Sequence, residues 1–261
     1  MTIKATEVVP TVISGKSPAE IEDFEGWKES KRILVILAHP DDPEFFCGAT
    51  LKRWAEASHE IHYCLFTKGQ RGSNDVSLTG EQIAVIRVQE QKRAAESIGA
   101  KSVEFLDELD GELESTLALR KEAVRLIRKY AAQIIVTSDP QNYITLDYRL
   151  NHPDHRAAGE ITLGAAFPAA GNPVMYKTLE DRLMGSPINP EEIWISATNQ
   201  PNLTIDVTNY FAKKLEAICF HKSQIGDVNT FVERMKKRTI LNAETNRQVY
   251  AERFKRIVLK S

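Results

Sequence analysis

The chain has 261 residues, of which 42% are hydrophobic, enough for one sizeable core. Its formal net charge is −2, with Lys and Arg scattered along the sequence, which excludes the basic footprint of a nucleic-acid or anionic-membrane binder; the short basic cluster at 234–238 reads as a solvated helix face. Three cysteines, Cys47, Cys64 and Cys219, show no CxxC spacing, so they make no disulfide framework and point to a reducing compartment, the cytoplasm.

Residues 1–31 read as an N-terminal extension. It is an extended arm followed by a short helix through Trp27, with Ser17 as N-cap and Pro18 at the first helical position. No basic stretch precedes an apolar one there, so no leader is expected. Residues 32–261 read as a single domain with no internal boundary. The run 33–38 (ILVILA) has the β-branched continuity of a strand buried on both faces, and it is far too short to span a bilayer.

A helix over 48–57, a strand over 62–66 and a loop over 67–74 follow. The spacing of Ile83, Ile86, Ala94, Ala95 and Ile98 predicts a helix over 80–98, stopped by Gly99. Next come a strand over 103–106, a helix over 113–132 with Leu117, Val124 and Ile127 on one face, and a strand over 134–137. Strands alternating with helices at this spacing predict an α/β fold: a Rossmann-like three-layer sandwich around a mostly parallel sheet. Beyond it, 157–166 reads as helix and 168–190, with four prolines, as mainly loop. Residues 193–196 and 203–206 read as short strands, and 210–220 and 229–255 as mostly helical.

Two clusters carry chemistry. His39-Pro40-Asp41-Asp42 follows the first strand, and His152-Pro153-Asp154-His155 opens the helix after the fourth. Either alone could be a turn, since Pro and Asp are turn residues. Both at the carboxyl ends of strands in a parallel sheet lie where such folds bind ligands. His39, Asp42 and His155 make a His/Asp/His set for zinc that leaves a fourth position for water, the catalytic pattern; the same ligands accept other divalent transition metals. Asp41, pointing away from Asp42, is free to act as general base. His152 could polarise the carbonyl or protonate the leaving amine, and Asp154 could orient a histidine.

With these clusters, the sequence resembles the PIG-L/LmbE-like family of zinc-dependent N-deacetylases over about residues 32–225. The resemblance rests on His39-Pro40-Asp41-Asp42 followed by Gly48-Ala49-Thr50-Leu51; Thr67-Lys68-Gly69 with Gly72; Arg87-Val88-Gln89-Glu90; Asp110-Gly111 with Leu113; His152-Pro153-Asp154-His155; and His221-Lys222-Ser223-Gln224. It implies an LmbE-like fold and zinc on His39, Asp42 and His155. It implies Asp41 as base, with His152 as the electrophilic or acid histidine. Arg87 would contact the sugar, and Asp110 would lie near the pocket.

For Arg87 the residues themselves allow a second reading, an i, i+3 ion pair with Glu90. For His221 a helix cap and a role behind the metal ligands both stay open. The chain departs from the family pattern at Pro43, which displaces the usual glutamate to Glu44, and at Leu150, where some sugar deacetylases carry tyrosine; Tyr148 is nearby.

The expected reaction is removal of an N-acetyl or other acyl group from an amino sugar or small glycoconjugate of the N-acetylglucosamine type. The expected partner is that small molecule, with no nucleic acid, no membrane, and homo-oligomer formation open. Three alternatives stand beside it: a zinc amidase acting on a thiol conjugate or other acyl amide, a non-enzymatic nucleotide-binding module resting on Gly69-x-x-Gly72 alone, and a member that has lost catalysis.

Overall fold

A computed structural model of the chain describes residues 12–13, 25–145, 149–176, 185–242 and 246–259. β1 (Arg32–Leu37), β2 (Glu60–Thr67), β3 (Ser102–Glu108), β4 (Ile134–Ser138) and β5 (Glu192–Ser196) pair in parallel, in the order β3-β2-β1-β4-β5. β6 (Leu203–Asp206) and β7 (Ala251–Val258) extend the sheet beyond β5 as β5-β7-β6. β7 runs antiparallel to both neighbours, and Val12–Ile13 adds a short edge beside β6. The mostly parallel α/β sheet expected from the sequence is therefore present.

Alternation along β1 splits the interior into two layers. Ile33, Val35 and Leu37 face a core with Leu51, Trp54, Ala95 and Ile98, on helices α1 (Asp42–Glu56) and α2 (Gly80–Ile98). Leu34 and Ile36 face the other core, with Val124, Ile127, Ala158 and Ile161 on α3 (Leu117–Lys129) and α4 (Pro153–Gly164). Chain order reverses between β1 and β4. The crevice at their carboxyl ends is the switch point where such sheets bind ligands.

The segment before β1 is stitched to the base of the sheet. Glu25 takes both Nη atoms of Arg53 (2.5 and 2.9 Å) and Trp54 Nε1 (2.8 Å), and Trp27 Nε1 donates to Glu192 at 2.9 Å. Residues 14–24, which hold most of the expected 18–27 helix, lie outside the described residues, and Glu25, Gly26 and Trp27 are not helical.

Three expectations need correction. The helix expected over 229–255 ends at Lys236, as α6 (Val228–Lys236); α5 (Thr208–Ile218) precedes it. A ribbon of Ile240–Asn242 and Arg247–Val249 and then β7 occupy the rest. Its period-two burial was hidden because one inward residue, Glu252, is charged. The helix expected over 48–57 starts six residues earlier, at Asp42, because Pro43 sits in the first turn, where its missing N–H costs nothing. A kink at Cys47 (φ −146°, ψ 16°) separates that turn from the remainder. The Glu252 carboxylate caps the second half, accepting from Ala49 N–H (3.0 Å) and Thr50 N–H (2.8 Å), and binds Lys214 Nζ at 2.6 Å. Finally, Leu117 opens α3 facing solvent at 73% exposure instead of lying on its apolar face.

Candidate active site

Two turns on the carboxyl edge of the sheet build the site. In the first, Asp41 has φ 87° and ψ −30°, a left-handed conformation that costs a non-glycine residue about 1–3 kcal/mol. The twist sends neighbouring carboxylates apart. Asp42 turns back, its Oδ2 accepting from the His39 N–H at 2.9 Å and its Oδ1 lying 3.1 Å from His155 Nε2. Asp41 turns toward α2, where Arg87 Nη2 meets its Oδ2 at 3.1 Å.

In the second turn His152 is the N-cap of α4. Its Nδ1 accepts from the Asp154 N–H at 3.2 Å, and Pro153 fills the first helical position. One turn on, His155 holds its Nδ1 against Asn151 Oδ1 (3.0 Å), which leaves Nε2 facing the first turn.

The structure brings His39, Asp42 and His155 together. His39 Nδ1 lies 3.3 Å from His155 Nε2 and 3.5 Å from Asp42 Oδ2. With ligand bonds of about 2.0–2.1 Å, the edges of a tetrahedral zinc site measure about 3.3–3.4 Å. The donor set and its spacing therefore suit such a cation. His39 also belongs to a second group of donors, with Asp110, His152 and Asp154. The carboxylates of that group are engaged elsewhere. Asp154 is fully buried and accepts from Gly111 N–H (2.7 Å) and Leu113 N–H (3.3 Å), while Asp110 accepts from Arg71 N–H (3.3 Å). They meet His39 Nε2 at 3.0 Å (Asp154) and 3.2 Å (Asp110), holding the ring from behind with Nδ1 turned to the His/Asp/His side.

Electrostatics divides the groups. Burial pushes the Asp41 carboxyl up to about 6; the Arg87 guanidinium opposes the rise and the Asp42 charge adds to it. Burial would also raise Asp42, but His155 and His39 outweigh it and hold that carboxyl well below the usual range. Burial would lower His39, yet its bonds to Asp110, Asp154 and Asp42 raise it well above 6.5. His152 sits at the mouth, its side chain 40% exposed and its ring centroid 4.6 Å from that of His39. Burial and the His39 charge both hold its pKa down.

The face of α2 toward this site is polar. Arg87 is buried, its Nη1 donating to the Gly69 carbonyl (3.1 Å) and its Nη2 to the Pro40 carbonyl (2.7 Å) as well as to Asp41. The expected alternative partner, Glu90, instead takes Ser223 through N–H (2.8 Å) and Oγ (2.6 Å). A side chain on either Gly69 or Gly72 would collide with the Arg87 guanidinium, so these two glycines make room for an arginine and not for a phosphate. Sequence reasoning missed Gln91, and it left His221 undecided: both are buried, Gln91 reaching Glu44 and the Asp41 backbone and His221 pairing with Glu44 at 3.1 Å. The available signal was positional. Residues 83, 87, 90, 91, 94, 95 and 98 form one helical stripe, with three polar members set among apolar ones.

Tyr148 lies outside the described residues, and Leu150 is exposed. Beside the two turns, Phe46 sets its ring edge-on to His155, centroids 5.2 Å apart. Phe46 also lines a cavity of about 340 Å³, together with Phe45, Val207, Phe211, Met235 and Tyr250 among others. Ala197, Val207 and Ala251 place this cavity on the same sheet edge as the two turns, above β5, β6 and β7. Among the described residues, no helix is long and apolar enough to cross a membrane.

The family described as "PIG-L: GlcNAc-PI de-N-acetylase" matches residues 34–166, a span that includes both turns. A diacetylchitobiose deacetylase of Thermococcus kodakarensis is 34% identical over 201 residues, covering 77% of this chain and 72% of the relative. A probable N-acetyl-alpha-D-glucosaminyl L-malate deacetylase 2 of Bacillus anthracis is 25% identical, covering 79% of this chain and 87% of its own. Among solved structures, N,N'-diacetylchitobiose deacetylase from Pyrococcus horikoshii, complexed with its inhibitor MPG, superposes with a TM-score of 0.79 at 28% identity, covering 92% of this chain and 88% of that one.

Proposed function

Since this chain belongs to the PIG-L family, we propose that it is a zinc-dependent N-deacetylase that hydrolyses the acetamide of an N-acetylglucosamine-type sugar or small glycoconjugate. The observation that carries this reading is the meeting of His39, Asp42 and His155 around one point, with the Asp41 carboxylate turned aside next to them. These three residues would hold the cation, which supplies a water of lowered pKa and polarises a carbonyl.

The chain's own residues then have separate tasks. Asp41 takes the proton of the attacking water; a carboxyl titrating near 6 is ionised at neutral pH and basic enough to accept it. Asp154 fixes the His39 tautomer from behind, and Asp110 assists it. His152, open to the mouth with its pKa held down, offers its Nε2–H to the developing oxyanion, and the proton that Asp41 has taken from the water passes on to the leaving nitrogen, directly or through His152. The amide C–N bond breaks to give acetate and a free amino sugar. Arg87 acts on the substrate through Asp41, since both its Nη atoms are engaged within the protein. The cavity beyond Phe46 takes the second ring or other group attached to the acetylated sugar, as aromatic walls suit a sugar face. Residues 32–261 work as a single unit in the cytoplasm.

The same machinery would also cleave an acyl amide of a thiol conjugate, and the cavity wall makes the distinction. The test is metal analysis of the purified protein, then acetate release from N,N'-diacetylchitobiose, N-acetylglucosamine and an N-acyl thiol conjugate, with and without a chelator. Chelator-sensitive release from the sugars supports the proposal. Release from the thiol conjugate alone moves the protein to the amidase reading, and no release from any of them, with zinc bound, sinks both.

A further inference from the structure

Glu44 is the third residue of α1 after its N-cap, Asp41. A glutamate there ordinarily reaches back and accepts from the N-cap N–H, closing a capping box. In this protein Gln91 of α2 is inserted between the two. Its Nε2 lies 3.1 Å from both Oε1 and Oε2 of Glu44, and its Oε1 accepts from the Asp41 N–H at 2.7 Å. The far side of Glu44 is closed by His221 Nε2 at 3.1 Å, and Gln91, Glu44 and His221 are all 0% exposed. A direct cap would be local to α1, whereas this extended one ties the turn to a second helix.

Asp41 has reason to need the tie. It holds a left-handed conformation that only glycine adopts without strain, and that conformation sets the divergence of the Asp41 and Asp42 carboxylates. One turn before Gln91, Arg87 holds the carbonyl of Pro40 and the carboxylate of Asp41. The backbone N–H is the remaining handle on Asp41, and Gln91 occupies it. Glu44 serves the turn through an amide bridge.

We propose that Gln91 is a positioning residue for the base: with Glu44 and His221 behind it, it clamps the Asp41 backbone in the left-handed conformation that aims the carboxylate. The inference rests on the assignment of Asp41 as base in the proposed reaction.

The experiment compares Gln91→Met, Gln91→Glu, the exchange Glu44→Gln/Gln91→Glu, and Asp41→Asn, measuring kcat, KM and zinc content. Gln91→Met keeps the volume and removes both bonds; kcat should fall about tenfold, the worth of one buried neutral hydrogen bond, with KM and zinc content unchanged. Gln91→Glu sets two carboxylates face to face and should be worse. The exchange reverses donor and acceptor only in the bond between residues 44 and 91; residue 91 still accepts from the Asp41 N–H and residue 44 still offers an oxygen to His221 Nε2, so it should recover most of kcat. That recovery decides the matter even if Gln91→Met does not fold. A kcat for Gln91→Met close to wild type, or an exchange no better than Gln91→Glu alone, overturns the clamp. An active Asp41→Asn removes the base assignment itself, whereas an inactive Asp41→Asn beside a normal Gln91→Met removes only the clamp.

Discussion

The guanidinium of Arg87 fills the space that a side chain on Gly72 would need: a Cβ there would stand 2.2 Å from Nη1. Gly72 has no positive φ to accommodate, so its lack of a side chain answers to crowding, first by Arg87 and then by Gln224 Oε1, which would stand 3.3 Å away. Gly72→Ala should therefore displace the arginine or the loop, lowering stability by about 1–3 kcal/mol, as overpacking does. Arg87 also grips Asp41, so kcat should fall in the same variant. Thermal denaturation and initial rates, with Val76→Ala at a fully exposed neighbouring position as control, check both effects.

Metal content and turnover should separate cleanly. His155→Ala and Asp42→Ala remove donors from the His/Asp/His set and should lose zinc and activity together. Asp41→Asn should keep its zinc and lose turnover by about 10²–10⁴-fold, the usual contribution of a general base. Metal analysis by mass spectrometry, run beside the acetate assay, distinguishes the two patterns. Zinc loss in Asp41→Asn would put that residue among the ligands.

The pH profile follows from Asp41. Its carboxyl is raised to about 6 from an ordinary 3.8, and only the ionised form accepts a proton. The rate should thus climb with pH through about 6 and level off above it, falling about tenfold per unit on the acid side. Arg87 opposes the rise, so Arg87→Met should move the acid limb to higher pH. An acid limb that stays in place in that variant would assign it to another group.

Phe46 meets the His155 ring edge-on and also lines the neighbouring cavity. Phe46→Ala should raise KM for N,N'-diacetylchitobiose more than for N-acetylglucosamine if, as proposed, the second ring of the disaccharide enters the cavity beside Phe46. Equal effects on the two sugars would place the second ring elsewhere.

Much of this was legible in the sequence because parallel strands buried on both faces read as plain apolar runs, and 33–38 and 134–137 are such runs. The two His-Pro-Asp turns were legible because each directly follows or precedes a predictable element. The remainder was hidden where polar residues occupy inward positions. Glu252 broke the alternation of β7, and Arg87, Glu90 and Gln91 sit on the buried stripe of α2, where an apolar periodicity count passes over them. The first turn of α1 was hidden by Pro43, a breaker inside a helix yet a favoured residue at its start. Pairwise contacts between distant segments, such as Glu44 with His221, leave no periodic trace at all.

The carboxylate of Glu252 supplies the missing acceptor for the second half of α1, and it arrives on the antiparallel strand that enters the sheet between β5 and β6. The half of α1 that begins at Ala49 therefore lacks this acceptor on a nascent polypeptide until more than two hundred later residues have been made. Completion of α1 beyond its kink is in this way tied to completion of the sheet.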